Sequence, residues 1–227
     1  RELSYINMTL QNKVDGLIAI TYSNLDEYLE VGLPMVSIDR HFPGEGICCV
    51  SSDNEKGGKL AAEKFIETGC RNVAYIRNGS NLENETLKRG QSFLNACRKA
   101  GVEAVQIELG EETTLRQKEI QKIDEFVEAI VKNGKCKYDG IFTSSDVHAV
   151  LVQKKLKLLG VRVPQDVQII GYDGLRVLNV GDYVVSSIAQ PIKEMALTCV
   201  DVLIKLIEKR YTDLNIILPV KFVEGGT

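Results

Sequence analysis

The chain has 227 residues, of which 28 are basic and 31 acidic, and its formal net charge is -3. This length is enough to bury a substantial core in one large domain or two small ones. The charges form no basic stripe that could neutralise phosphates, so these residues alone are not expected to bind nucleic acid. No apolar run approaches the roughly 18 residues of a membrane span, and no membrane association is expected.

The predicted elements alternate between helices and strands. Short apolar runs indicate buried strands, whereas apolar residues three or four apart, closed by glycine, indicate helices. In chain order, helices are expected at residues 3–14, 25–32, 52–69, 85–101, 117–134, 146–160 and 193–210, and strands at 16–20, 35–39, 72–76, 103–109, 139–144, 167–173 and 215–226. This alternation predicts an α/β fold with right-handed crossovers and mostly parallel sheets covered by helices on both faces.

Two of the predicted strands end in an acidic residue, Asp39 in one case and Asp173 in the other. Residues 14–39 and 138–173 repeat the order Asp-Gly, strand, turn, helix, Pro, strand, Asp, which indicates two similarly built lobes. Ligands of open α/β sheets bind at the carboxyl ends of the strands. If the lobes face each other, both carboxylates can accept hydrogen bonds from a polyhydroxylated ligand in the cleft. The alternative is that each Asp caps the turn after it.

The six cysteines show neither zinc-ligand spacing nor a pattern of disulfides, and a protein of this size does not need such crosslinks. They are Cys48, Cys49, Cys70, Cys97, Cys136 and Cys199. We expect free thiols in a reducing cytoplasm.

The sequence contains no arrangement typical of catalysis. His41 and His148 are the only histidines, and neither lies in a nucleophile or metal motif. The Gly-Gly-Lys at residues 57–59 falls inside a helix pattern instead of a phosphate-binding loop. We therefore expect a binding protein without a metal or cofactor, and not an enzyme.

The segment VRVPQDVQIIGYDG at residues 161–174 closely resembles the signature of the lactose-repressor (LacI/GalR) family of bacterial transcription regulators. Other segments follow in the family's order: VDGLIAI, LPMVSIDR, SSDNEKGGKLAAEKFIETGCRNVAYI, ETLKRGQSF, DGIFTSSDVHAV, SSIAQPIKEMA and VKFVEGG. Members of this family carry a helix-turn-helix headpiece, a hinge helix and a two-lobed effector-binding core shaped like a periplasmic sugar-binding protein. This sequence resembles the core alone, without its opening strand, helix and second strand, so we expect that residues upstream are absent from it.

The resemblance implies two Rossmann-like lobes of the type I periplasmic-binding-protein kind. The N-terminal lobe would consist of residues 1–52 and 191–217, and the C-terminal lobe of residues 53–190 and 218–227. The chain would cross between the lobes several times, and such crossovers form a hinge at which two lobes close over a ligand.

The resemblance also implies which residues contact the effector: Asp39, Arg89, Phe142, Ser145, Asp173 and Gln190. Carboxylates and an amide suit hydroxyl groups, Arg supplies a planar fork of donors, and Phe offers an apolar face to a sugar ring. Three of these positions have an ordinary structural alternative. Arg89 could be a solvated helix charge, Phe142 a core residue, and Ser145 the cap of the helix that begins near Asp146.

By the same resemblance, the chain is the effector-binding and dimerising core of a transcriptional repressor. It would sense a small polar ligand such as a sugar and couple lobe closure to operator DNA binding by a headpiece outside this sequence. Dimer contacts are implied at Leu175, Val177, Leu178, Val150 and Lys154, although the cluster after Asp173 could instead be a buried loop. The alternative function is an extracytoplasmic sugar-binding protein of a transporter or chemoreceptor, against which the cysteines and the signature argue.

Overall fold

The computed structural model describes residues 14–20, 33–42, 47–79, 85–111, 116–210 and 212–227, together with Met8. The helices predicted at residues 3–14 and 25–32 lie outside these ranges, apart from Met8 and Val14.

Strands and helices alternate along the described residues, as the sequence predicts. The strands are β1 (Leu17–Ala19), β2 (Met35–Ile38), β3 (Ile47–Ser52), β4 (Asn72–Gly79), β5 (Glu103–Glu111), β6 (Val131–Lys132), β7 (Lys135–Cys136), β8 (Gly140–Thr143), β9 (Gln168–Asp173), β10 (Ser187–Ala189), β11 (Asn215–Leu218) and β12 (Lys221–Val223). The helices are α1 (Asn54–Glu67), α2 (Glu85–Lys99), α3 (Arg116–Ile130), α4 (Asp146–Leu158) and α5 (Ile192–Ile207), with a short 3-10 turn at Val177–Asn179.

The chain divides into two compact units. The first consists of Arg1–Asp53 and Pro191–Pro219, and the second of Asn54–Gln190 and Val220–Thr227. The chain therefore passes from one unit to the other three times, after Asp53, Gln190 and Pro219.

The first unit is built on a four-stranded sheet in the order β1-β2-β3-β11, in which every pair of neighbours is parallel. Alternate side chains of a strand point to opposite faces. Val36 of β2 and Val50 of β3 accordingly pack against Met195 and Val202 of α5. Met35 and its apolar neighbours form a smaller cluster of their own.

The second unit contains a six-stranded sheet in the order β12-β10-β9-β8-β4-β5, whose only antiparallel pair among the described strands is β10 with β12. Consecutive residues of β4 divide between its two cores. Tyr75 packs in the cluster that contains residues of α1 and α2, and Ile76 in the cluster that contains residues of α3 and α4. The predicted α/β fold with parallel sheets covered by helices is therefore confirmed.

One predicted helix ends earlier than expected. The pattern at residues 117–134 suggests a single helix, whereas α3 ends at Ile130 and a two-residue hairpin pairs β6 with β7. Asn133 and Gly134 form its turn, with φ of 52° and 71°. Positive φ at both central residues is the geometry that Asn-Gly supplies in tight hairpins, and this local preference ends the helix.

Two glycines allow α1, α2 and β4 to approach closely. A Cβ atom at Gly58 of α1 would overlap the backbone oxygen of Arg89 in α2, and one at Gly90 would overlap the ring of Tyr75 in β4. Glycine at these two positions therefore allows α2 to pack closely on both α1 and β4, and this packing determines the position of Arg89.

Candidate functional site

The carboxyl ends of β4, β8 and β9 lie at one edge of the second sheet because these strands are parallel neighbours. Each end carries polar side chains: Asn78 is the second-last residue of β4, Ser144 and Ser145 follow β8, and Asp173 is the last residue of β9. In open α/β sheets this is the edge at which ligands bind.

Arg89 reaches this edge from α2 and is only 4% exposed. Its Nε and Nη2 donate to Oδ1 of Asn54 at 3.0 and 2.6 Å, and its Nη1 donates to the backbone oxygen of Ser144 at 2.7 Å. Its guanidinium carbon lies 3.1 Å from the ring centroid of Tyr172. Arg89 is thus a buried, oriented cation, and the alternative of a solvated helix charge does not describe it.

Asp173 and Gln190 are joined by a hydrogen bond. Nε2 of Gln190 donates to Oδ1 of Asp173 at 2.8 Å, and the backbone N of Gln190 donates to the backbone oxygen of Asp173 at 3.2 Å. Burial raises the pKa of the Asp173 carboxyl, while the charge of Arg89 acts in the opposite direction. The φ of Asp173 is 126°, a strained conformation for a residue with a side chain and one often found at functional sites.

Ser145 occupies the N-cap of α4, and its Oγ accepts from the backbone N of His148 at 3.3 Å. The capping alternative is therefore what the structure shows for this residue, which is half-buried. A hydroxyl that accepts one hydrogen bond can still donate its own proton to a ligand.

The role predicted for Phe142 requires correction. Its side chain is 0% exposed, and its ring packs against those of Tyr75 and Phe93, with centroids 5.1 and 5.2 Å away. Because other aromatic rings already pack against this ring, it does not present a face to a sugar. Phe142 is a core residue that supports the sheet beneath the site.

Asp39 lies in the first unit, directly after β2, and has a φ of 54°. Its Oδ1 accepts from the backbone N of Ser52 at 3.3 Å, and its own backbone N donates to the oxygen of Val50 at 3.1 Å. The carboxylate thus bonds to the end of the neighbouring strand. Asp39 belongs to a different unit from the other five predicted contact residues, and its contact with a shared ligand remains a prediction.

Asp146, which the sequence indicates only as the start of a helix, is a buried carboxylate. It is 0% exposed; its Oδ1 accepts from Oγ of Ser187 and its Oδ2 from the backbone N of Leu175, both at 2.6 Å. Burial raises its pKa to about 6, although these hydrogen bonds act in the opposite direction. Gly171 leaves the space for it, because a Cβ there would overlap Oδ1. Asp146 therefore ties α4 to the segment after β9.

A second polar group that the sequence did not reveal surrounds His148. Nε2 of His148 lies 2.7 Å from Oε1 of Glu119 in α3, and its Nδ1 lies 3.2 Å from Oγ of Ser144. Asn78 donates to the same Glu119 oxygen at 3.4 Å. Burial acts to raise the pKa of Glu119, but the hydrogen bond and charge of His148 outweigh it and lower the pKa. The group is assembled from four separate elements, which explains why no local pattern indicated it.

The residues predicted at a dimer interface differ in exposure. Leu178 is 88% exposed, Val177 is 51% exposed, and Val150 and Lys154 of α4 are exposed as well, whereas Leu175 is half-buried. The alternative of a buried loop therefore does not describe the segment after β9.

Within the described ranges, no helix is both long and apolar enough to span a membrane. Nor do these residues bring together three or more His, Cys, Asp or Glu side chains in a group that could hold a metal ion. The six cysteines are free thiols.

Comparisons with known proteins agree with this architecture. Residues 62–227 match the model of the family described as periplasmic binding protein-like domain. The chain is also similar to the periplasmic binding protein/LacI transcriptional regulator from Alkaliphilus metalliredigens, whose crystal structure is a complex with D-xylulofuranose. That likeness has a TM-score of 0.81 and 30% identity, and it covers 100% of this chain and 82% of the other.

Two curated relatives carry names of sugar operon repressors. The sucrose operon repressor of Streptococcus mutans is 33% identical over 226 residues, which are 99% of this chain and 67% of that protein. The ribose operon repressor of Halalkalibacterium halodurans is 31% identical over 214 residues, which are 94% of this chain and 62% of that protein. The chain thus spans about two thirds of the length of these relatives.

Proposed function

Since this chain belongs to the LacI family of transcriptional regulators and corresponds to their effector-binding core, we propose that it senses a small sugar or sugar derivative. The ligand would bind at the sheet edge formed by β4, β8 and β9. The regulator as a whole would then change its affinity for operator DNA, through a helix-turn-helix headpiece outside this chain.

One observation carries this proposal: the fixed guanidinium of Arg89 lies at the same edge of the sheet as the hydrogen-bonded pair of Asp173 and Gln190. Bonds to Asn54 and Ser144 hold the guanidinium of Arg89 in place, and a guanidinium presents five N–H groups in a fixed geometry. The guanidinium of Arg89 bonds to Ser144 after β8 and lies over the ring of Tyr172, the residue before Asp173, so it is at the same end of these paired strands as Asp173. Sugar hydroxyls both donate and accept hydrogen bonds, and this set offers donors and acceptors together.

Within the proposal, Asp173 accepts from a hydroxyl, Gln190 donates and accepts, Arg89 donates, and Ser145 contributes a hydroxyl. Asp39 contacts the same effector from the first unit. A ligand shifts an equilibrium only by its differential affinity for the states involved, so the effector favours the closure state in which both units contact it. Phe142 is not part of the contact set.

The names of the similar proteins support a sugar as the ligand and operator DNA as the partner. One similar structure holds D-xylulofuranose, and two relatives are named for sucrose and ribose operons. We propose that the regulator is a cytoplasmic repressor without catalytic activity or cofactor. We also propose that it is a homodimer, with Leu175, Val177, Leu178, Val150 and Lys154 at the interface.

A calorimetric screen of sugars, followed by one variant pair, tests the ligand site. Asp173→Ala should weaken binding of the identified sugar by about tenfold or more, because it removes a charged hydrogen-bond acceptor. Asp201→Ala is the matched control, since Asp201 forms an exposed ion pair with Lys205 in α5. Equal affinity of the wild type and Asp173→Ala would reject the site.

A further inference from the structure

Arg77 is a deeply buried charge that the proposed function does not use. It lies two residues before the end of β4 and is 1% exposed. Its Nη1 donates to Oε1 of Glu108 on β5 at 2.7 Å, and the Glu108 side chain is half exposed. Among the residues that the structure describes, none accepts a hydrogen bond from Nε or Nη2 of Arg77.

These two nitrogens form the side of the guanidinium that binds two oxygens at once. The N–H of Nε and one N–H of Nη2 are parallel, and this fork matches a carboxylate or phosphate. Arg89 directs the same fork at Asn54, and the exposed Arg162 directs it at Asp166. Of these three forks, only that of Arg77 has no acceptor among the residues that the structure describes. A buried charged donor left unpaired is costly, so an oxygen-bearing guest is expected there.

Arg77 borders the proposed effector site. Side chains two residues apart on a strand point to the same face, so Arg77 lies on the face of β4 that carries Tyr75. The ring of Tyr75 in turn lies against Gly90, the residue after Arg89. The next residue, Asn78, bonds to Glu119 and so belongs to the polar group around His148. The pairing of β4 with β5 also shifts register between Arg77 and Gly79. Such an irregularity redirects side chains at the end of a strand.

We propose that Arg77 binds an oxyanion of the effector, and that the effector is therefore a phosphorylated sugar or a sugar acid. This inference rests on the proposed function and narrows its ligand class. A phosphate or carboxylate places one oxygen on each N–H group of the fork and brings the opposite charge, whereas the single carboxamide oxygen that occupies the fork of Arg89 is neutral. The enclosure of the guanidinium strengthens the contact, because little solvent competes for it.

Calorimetry on three proteins separates the chemical classes. The wild type, Arg77→Gln and Arg162→Gln are titrated with ribose, fructose, sucrose and xylulose, with monophosphates of these sugars, with the corresponding sugar acids and with inorganic phosphate. We expect the wild type to bind one charged form about tenfold or more tightly than its parent sugar. Arg77→Gln should lose about ten- to hundredfold for that charged form and less than about twofold for the parent sugar. Arg162→Gln, which changes an exposed fork, should behave as the wild type.

Arg77→Lys is a second variant in case Arg77→Gln does not fold, and thermal unfolding identifies the folded variants. Lysine keeps the charge and removes the fork, so it should lose affinity for the charged form as well. If a neutral sugar binds best and both Arg77 variants bind every ligand as the wild type does, the inference is overturned while the proposed function stands. If the wild type binds no sugar in any form, the proposed function itself fails. Comparison of the titrations with sugar phosphates and with sugar acids shows which oxyanion binds Arg77.

Discussion

A single carboxamide oxygen of Asn54 accepts hydrogen bonds from both Nε and Nη2 of Arg89, at 3.0 and 2.6 Å. Asn54 is the first residue of α1, and Arg89 lies 35 residues later in α2. The amide leaves the charge of Arg89 intact, because a neutral acceptor orients a cation without neutralising it. The orientation of the proposed effector contact is therefore set by a residue outside the contact set.

Asn54→Ala tests this positioning. It leaves two buried N–H groups of Arg89 without an acceptor, so we expect the free energy of unfolding to fall by about 1–3 kcal/mol. Effector affinity should fall as well, because Arg89 is no longer held. Denaturant unfolding and calorimetry measure the two effects. Asn95→Ala is the control, since Asn95 accepts from Arg98 at the exposed surface of α2. Equal behaviour of both variants would contradict the positioning role.

Gly58→Ala should destabilise the protein, although the same change in an exposed helix stabilises it by up to about 1 kcal/mol. The added methyl group would overlap the backbone oxygen of Arg89, and overpacking of this kind costs about 1–3 kcal/mol. Thermal unfolding gives the sign directly. A raised melting temperature would show that α1 and α2 are not in close contact here.

The free energy of unfolding should depend on pH because of Asp146. Its folded-state pKa is raised from 3.8 to about 6, so the folded protein holds a proton between these values that the unfolded chain has released. Stability from this group is therefore greatest below about pH 4 and decreases, by on the order of 3 kcal/mol, as pH rises through 6. Asn at this position does not titrate. The stability difference between wild type and Asp146→Asn, measured by denaturant unfolding, should shift against the wild type from pH 4 to pH 7, and a constant difference would contradict the assignment.

Leu178→Asp tests the proposed dimer. Leu178 is 88% exposed beside the exposed Val177, and a charge placed in an apolar interface should weaken the dimer by about tenfold or more. Sedimentation velocity over a range of protein concentrations measures the change. Leu214→Asp is the control, because Leu214 is an exposed leucine of the first unit. A wild type that sediments as a monomer at all concentrations would exclude the dimer.

The fold could be predicted from local patterns because short apolar runs and capped helices carry it. Asp173 was also predictable, since it lies at the end of a recognisable strand, whereas Gln190 was implied by the family resemblance and its strand β10 by no local pattern. The neighbours of these residues were not predictable, because Asn54 meets Arg89 only when two helices pack together at Gly58. Asn133 and Gly134 signal the hairpin after Ile130, but the helical periodicity of residues 117–134 predicts a helix across it. The enclosure of Phe142 depends on Tyr75 and Phe93, which come from other elements.

A crystal structure of the chain with its tightest-binding sugar tests the central claim most directly. We expect oxygens of the sugar within about 3.2 Å of the side chains of Asp173, Gln190 and Arg89, at the carboxyl ends of β8 and β9. A sugar bound at another place, with the bond between Gln190 and Asp173 unchanged and no contact to Arg89, would contradict the account.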